Sequence, residues 1–143
     1  MNKEQKPEKS NLAARIQPLV ARWMAAFESA IKTENYPVGR SLFSLNVIGF
    51  GTTAIRADGL DSLMDNQWKT RWPTNQNFHF LPDTAKMLWS NDWLTTILTV
   101  EWECDARRGR ATMILQAYPE QDKLLCTHSH FSENPVNRTI VVV

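Results

Sequence analysis

Two histidines, His128 and His130, stand two residues apart in KLLCTHSHF, residues 123–131. In an extended chain side chains alternate, so the pair shares one face with about 7 Å between Cα atoms, given a rise of about 3.3 Å per residue. Histidine is the side chain most easily tuned to titrate near neutral pH. The pair therefore suits general acid/base work or a clamp on the polar end of a ligand; the other reading is two imidazoles that hold hydrogen bonds in a half-polar cavity. Leu124 and Cys126 share their parity, which predicts that this face points inward. An H-x-H pair can also supply two of three zinc ligands. His79, Glu101 or Asp92 could be the third, but no spacing selects one, and no metal is expected.

Arg110 opens the neighbouring segment RATMILQAY and shares its face with Thr112 and Ile114. Its guanidinium could pair an anionic ligand bidentately, or form a salt bridge to Glu101 or Glu103 across the hairpin; both can hold together. Glu101 and Glu103 alternate with Val100, Trp102 and Cys104, so one face of that segment is apolar and the other acidic. Trp23, Phe27, Trp68 and Trp72, with Trp89, Trp93 and Trp102, are either core or the wall of a pocket for a flat apolar ligand. No nucleophile elbow, P-loop, dinucleotide-binding glycine pattern or zincin helix occurs, and no cofactor is expected.

The 143 residues suit one domain. Lys+Arg 16 against Asp+Glu 15 leaves a net charge of +1, which argues against nucleic acid held by phosphate contacts. No stretch is long and apolar enough for a membrane span. The charged N-terminus lacks the pattern of a secretory signal, so the expected location is cytoplasmic. Cys104 and Cys126 are then free thiols.

Residues 1–10 are polar and read as a flexible tail. Leu12, Ile16, Leu19, Trp23, Phe27 and Ile31 recur at helical spacing. Pro18 interrupts them, which predicts a main helix starting near Gln17 and ending near Thr33, with residues 11–16 a turn or kinked extension. Tyr36-Pro37 opens a short helix, and Leu45–Phe50 reads as a strand. Asp58 caps a further helix that Trp72-Pro73 ends. After residue 75 the period becomes two. Strands follow at 84–90, 93–104, 110–118 and 123–131, with turns at Asn91-Asp92, 105–109 and 119–122. Residues 136–143 form a C-terminal tail, which leaves 11–135 as the domain. Helices first and an antiparallel meander after them indicate α+β: a cone-shaped curved antiparallel sheet with about three N-terminal helices on its concave face. Met113, Leu115, Leu125 and Thr127 are assigned to the outer face.

Gly49-Phe50-Gly51-Thr52, Asp58-Gly59-Leu60-Asp61 with Trp68 and Trp72, Gly109-Arg110-Ala111-Thr112, and Lys123–Pro135 with His128-Ser129-His130-Phe131-Ser132 resemble the SnoaL-like, or nuclear-transport-factor-2-like, superfamily, which includes the ketosteroid isomerases. The resemblance spans about residues 15–135. It implies a pocket between sheet and helices and a homodimer formed through the sheet, but no single activity. The isomerase branch needs a carboxylate base and a donor to an enolate. Only Tyr36 and Tyr118 offer phenols here, and no Asp matches the base; the dehydratase branch stays open through the histidines. The expected function is a pocket protein that binds, and converts if it is a lyase or isomerase, a small hydrophobic or aromatic molecule with a polar end. The alternative is a non-catalytic dimerisation module of the same fold with a cone filled by Trp and Phe.

Overall fold

The computed structural model describes residues 5–135. Helix α1 (Gln5–Thr33) is followed by α2 (Tyr36–Ser41), β1 (Phe43–Phe50), the two-residue β2 (Ala57–Asp58) and α3 (Leu60–Leu63). The chain continues without a break through a π-turn (Met64–Trp68), α4 (Lys69–Arg71) and a 3-10 turn (Trp72–Thr74). Four long strands complete it: β3 (His79–Trp89), β4 (Thr95–Glu103), β5 (Arg108–Tyr118) and β6 (Lys123–Glu133). They form one six-stranded sheet in the order β2-β1-β6-β5-β4-β3. The pairings β3–β4, β4–β5 and β5–β6 are antiparallel, and β1 runs parallel to β6. This is the expected α+β cone.

Helix α1 starts twelve residues earlier than the position of Pro18 suggests. Residues 5–10 belong to it, so the flexible-tail reading applies at most to residues 1–4, which lie outside the described residues, as do 136–143. Proline removes one N–H and crowds the carbonyl four residues back. The helix tolerates that here because Ile16, Leu19, Val20, Trp23, Phe27, Ala30 and Ile31 on one face are all buried, and packing of such a face outweighs the local cost. Helix α2 is capped by Asn35, whose side chain accepts from the Val38 N–H at 3.2 Å, with proline in the first turn. Helix α3 is not capped by Asp58. Its N-cap is Gly59, at φ 93, while Asp58 pairs with Arg56 at 2.9 Å.

Three irregularities bend the sheet: between Phe43 and Ile48 on β1, between Leu81 and Lys86 on β3, and at Thr127 on β6. An extra residue in one strand kinks it and increases its twist, which turns a flat ribbon into a cone. The segment expected as a strand at 84–90 is the second half of β3, whose first half starts at His79 and contains Phe80.

The concave side is packed with aromatic rings. Phe27 lies 5.0 Å from Phe43, 5.2 Å from Trp23, 5.8 Å from Trp68 and 5.9 Å from Trp72 between ring centroids. Trp72 stacks between Trp68 at 4.7 Å and Tyr36 at 5.0 Å. Gly39 lets α2 close on this stack, because a β-carbon there would sit 2.7 Å from the Trp72 ring. Met113 and Leu115 are fully buried on the same side, so the outer-face assignment of these two is corrected: β5 turns Gly109, Ala111, Met113, Leu115 and Ala117 inward.

Candidate functional site

The residues expected to form one site are divided between the two faces of the sheet. On β6, Leu124 and Cys126 point inward, as do Ser129 and Phe131 further along. That change of parity is the work of Thr127. Ile114 pairs with His128 and Leu115 with Cys126, so Thr127 has no opposite number. The bulge shifts the alternation by one residue, and everything after it changes face. His128 and His130 therefore lie on the outer face, against the expectation drawn from Leu124 and Cys126.

The outer face also carries Glu101, Arg110 and Thr112. With His130, Thr84, Thr99 and Ser132 they line a shallow hollow of about 330 Å³. Glu101 and Arg110 stand directly opposite each other, yet no ion pair joins them among the described residues. Arg110 Nε instead donates to Ser132 Oγ at 3.3 Å. Glu103 is occupied by Arg108 at 3.2 Å and by His79 at 2.9 Å. His128 Nδ1 donates to the Ile48 carbonyl at 2.7 Å, which ties the ring to β1. The Phe50 ring meets both imidazoles edge-on, at 5.2 Å from His128 and 5.5 Å from His130. No three His, Cys, Asp or Glu side chains among the described residues come together in a way that could hold a metal ion.

The concave face encloses a separate cavity of about 40 Å³. Of the expected aromatic residues, Phe27, Trp68, Trp72 and Trp102 line it; Trp89 and Trp93 are not among its lining, and Trp23 stays in the core, its indole N–H bonded to the Leu42 carbonyl at 3.0 Å. Phe78, Ser129 and Phe131 join Trp102 in the wall on the sheet side, and Phe50, Thr52, Arg71 and Asn75 form the less buried rim. None of the lining residues is Asp, Glu, His, Cys, Lys or Tyr. Arg71 is their only charged member.

Two features of this cavity lie beyond the sequence reading. The first is the state of Trp102, one of the aromatic residues expected in core or wall. This residue is 2% exposed, and its indole N–H is buried without an acceptor. Buried donors in native proteins nearly always find a partner, and this one has none although its ring forms part of the cavity wall. Gly109 makes room for this ring, since a β-carbon there would run into both the Trp102 ring and the Ser132 carbonyl. The second is the rim. Arg71 donates to Glu133 Oε1 at 2.9 Å, and Arg107 Nε approaches the same oxygen at 3.5 Å. Two guanidinium groups share one carboxylate, which leaves an excess of positive charge.

The π-turn positions the rest. Helix segments with five-residue hydrogen bonding occur preferentially at functional sites. Here the turn carries Gln67 into the loop after β1, where Oε1 accepts from the N–H groups of Thr53 at 2.9 Å and Ala54 at 2.8 Å, and Nε2 donates to Thr52 Oγ1 at 3.1 Å. Gln67 thus fixes the rim. Gly51 is required beneath it, because a β-carbon would collide with the Gln67 amide.

A third hollow, about 530 Å³, is the open groove between α1 and β3, walled by Val20, Met24, Phe80, Pro82, Ala85 and Met87. Its ionisable groups are engaged: Glu28 accepts from the Phe80 N–H at 2.7 Å, and His79 bonds Glu103 and the Asn77 carbonyl. Among the described residues no helix is long and apolar enough to cross a membrane.

No protein-family model and no curated protein matches the sequence. Solved structures do match the fold. LinA superposes with a TM-score of 0.68 at 6% identity, over 88% of this chain and 91% of that one. A ketosteroid isomerase-like protein from Erwinia carotovora atroseptica gives 0.67 at 12% identity, over 82% and 96%. A putative ketosteroid isomerase from Shewanella frigidimarina gives 0.65 at 12% identity, over 80% and 94%. At such identities the likeness is one of architecture, and it shows that the chain has the fold of the nuclear-transport-factor-2-like, or SnoaL-like, superfamily.

Proposed function

We propose that this chain binds a small hydrophobic or aromatic molecule by its polar end, and that the polar end enters the concave cavity. The observation that carries this reading is the unpaired, fully buried Trp102 N–H in a wall otherwise made of Phe27, Trp68, Trp72, Phe78 and Phe131. A few placed polar groups in an apolar, largely preformed recess are the usual make-up of a ligand site. The room of about 40 Å³ accepts a head group rather than a whole aromatic ligand: by the same measure one water needs roughly 10–15 Å³. The body of the ligand then lies at the rim, between Phe50, Thr52 and Asn75.

The reading is of a binder. Ketosteroid isomerisation needs a carboxylate base and a proton donor aimed at an enolate, and the lining offers no carboxylate, imidazole or phenol. His128 and His130 would have to act on a ligand held on the outer face, where Arg110, Glu101 and Thr112 would be its other contacts. A cytoplasmic location belongs to the same proposal; it draws support from two cysteines that are both buried and unbridged, as in reducing compartments.

The assembly reading expects a cone filled by Trp and Phe, and the packed rings of Phe27, Trp68 and Trp72 around so small a cavity support it; the outer face supports it too. Across the outer face Leu88, Ile97 and Ile114 lie in one row, joined through His128 to Ile48, and Leu88 is 67% exposed. An apolar row on a sheet face suits a two-fold homodimer, the commonest closed assembly. Both readings hold together, since they use opposite faces. A thermal-shift screen of small aromatic and aliphatic compounds tests the first: binders should raise the melting temperature of the parent and lose that effect in Trp102→Phe. Light scattering tests the second, where a mass of 16.5 kDa at micromolar concentration would contradict a dimer.

A further inference from the structure

We infer that the polar end taken by the concave cavity is a carboxylate; this rests on the cavity being the ligand site. Trp102 offers a donor and no acceptor, so whatever meets it must accept. Ser129, 3% exposed on the same wall, offers a hydroxyl that can donate as well. Arg71 is the only charged lining residue, and the Arg71–Arg107–Glu133 cluster carries two cations against one anion. A carboxylate head would restore neutrality there; the one like charge beside it, Glu133, is already held by both guanidinium groups, and no Asp or Glu lines the cavity itself. Arginine also matches a planar carboxylate better than it matches a point charge. A neutral amide could satisfy the indole N–H but would leave the positive excess in place. An ammonium head would face Arg71 and find a donor where it needs an acceptor. The small room selects a compact planar head.

The probe is propionate, with propionamide as its neutral counterpart of nearly equal size. The readout is the indole N–H cross-peak of Trp102 in a nitrogen–proton correlation spectrum, assigned by triple-resonance methods so that no variant has to fold for the assignment. Propionate should move this peak downfield in a saturable way, and propionamide should bind roughly tenfold more weakly or worse. Arg71→Gln should weaken propionate by about the same factor and leave propionamide unchanged; Arg71→Lys, which keeps the charge but not the fork, should fall between them. If propionamide binds as well as propionate, or if Arg71→Gln leaves propionate binding intact, the carboxylate assignment is wrong while the pocket stands. If neither compound moves the Trp102 peak although both are present at tens of millimolar, the pocket itself is refuted.

Discussion

Replacing Phe27 by alanine probes the packing of the cone most sharply. Phe27 is 1% exposed, and it touches rings from helix and sheet alike, from Trp23 at 5.2 Å to Phe131 at 6.1 Å and Phe80 at 6.4 Å. Truncating a buried phenylalanine costs about 3–5 kcal/mol, through lost transfer energy and the void left behind. The neighbours here are large, rigid and mutually packed, so little collapse is available, and the upper half of that range is expected. At roughly 3 °C per kcal/mol for a chain of this size, the melting temperature should fall by about 12–15 °C. The void would also merge with the existing cavity of about 40 Å³, which Phe27 lines. Apolar voids of about 150 Å³ stay dry and bind benzene, so benzene should raise the melting temperature of Phe27→Ala and leave the parent unchanged. Urea denaturation gives the energy and differential scanning fluorimetry the rescue. A loss below about 1 kcal/mol would mean that the ring is not packed as described, and the account of a filled cone would fail.

Gly109→Ala should destabilise by about 1–3 kcal/mol or more, because the new methyl group meets the Trp102 ring and the backbone carbonyl of Ser132; a neutral result by urea denaturation would contradict the close approach. His128→Gln and His130→Gln should both leave binding in the concave cavity unchanged. His128→Gln alone should lose about 0.5–1.5 kcal/mol, from the bond to the Ile48 carbonyl, and a loss of cavity binding in either variant would show that the histidines reach the ligand. Burial pushes the Cys126 thiol well above its ordinary pKa, so it stays protonated at neutral pH. Native protein should therefore react with a disulfide reagent at Cys126 no faster than it unfolds; rapid modification would refute its burial.

The fold was legible because its signals are periodic and repeated. The switch from helical spacing before residue 75 to alternation after it defines helices and meander, and the strand limits shifted by only a few residues. The position of Pro18 misled because one local penalty was weighed against a tertiary face that the sequence shows only in pattern. The site was less legible for a sharper reason. Inward and outward along a strand are decided by parity, and a single extra residue reverses it. Thr127 carries no mark that distinguishes a bulge from a regular strand position, so Leu124 and Cys126 gave the wrong side for His128 and His130. By contrast the alternation of Val100 and Trp102 with Glu101 and Glu103 did show one apolar face of β4, and Trp102 lies on it with Gly109 opposite. Arg71 and Gln67 were not readable, because the π-turn that orients them depends on packing against the loop after β1. The unpaired state of the Trp102 N–H has no counterpart in sequence at all.

Strand alternation supplies the most direct measurement of where the ligand sits. Ser129 and Phe131 face the cavity, while His128 and His130, their immediate neighbours, face outward, and Trp102 and Thr112 divide in the same way across β4 and β5. Intermolecular nuclear Overhauser effects from the methyl and methylene protons of bound propionate separate the two faces residue by residue. The account predicts contacts to the side chains of Trp102 and Phe131 in the wall and of Thr52 and Asn75 at the rim, and none to His128, His130 or Thr112. Contacts to the imidazoles and Thr112, with none to Trp102, would move the binding site to the outer face and contradict it.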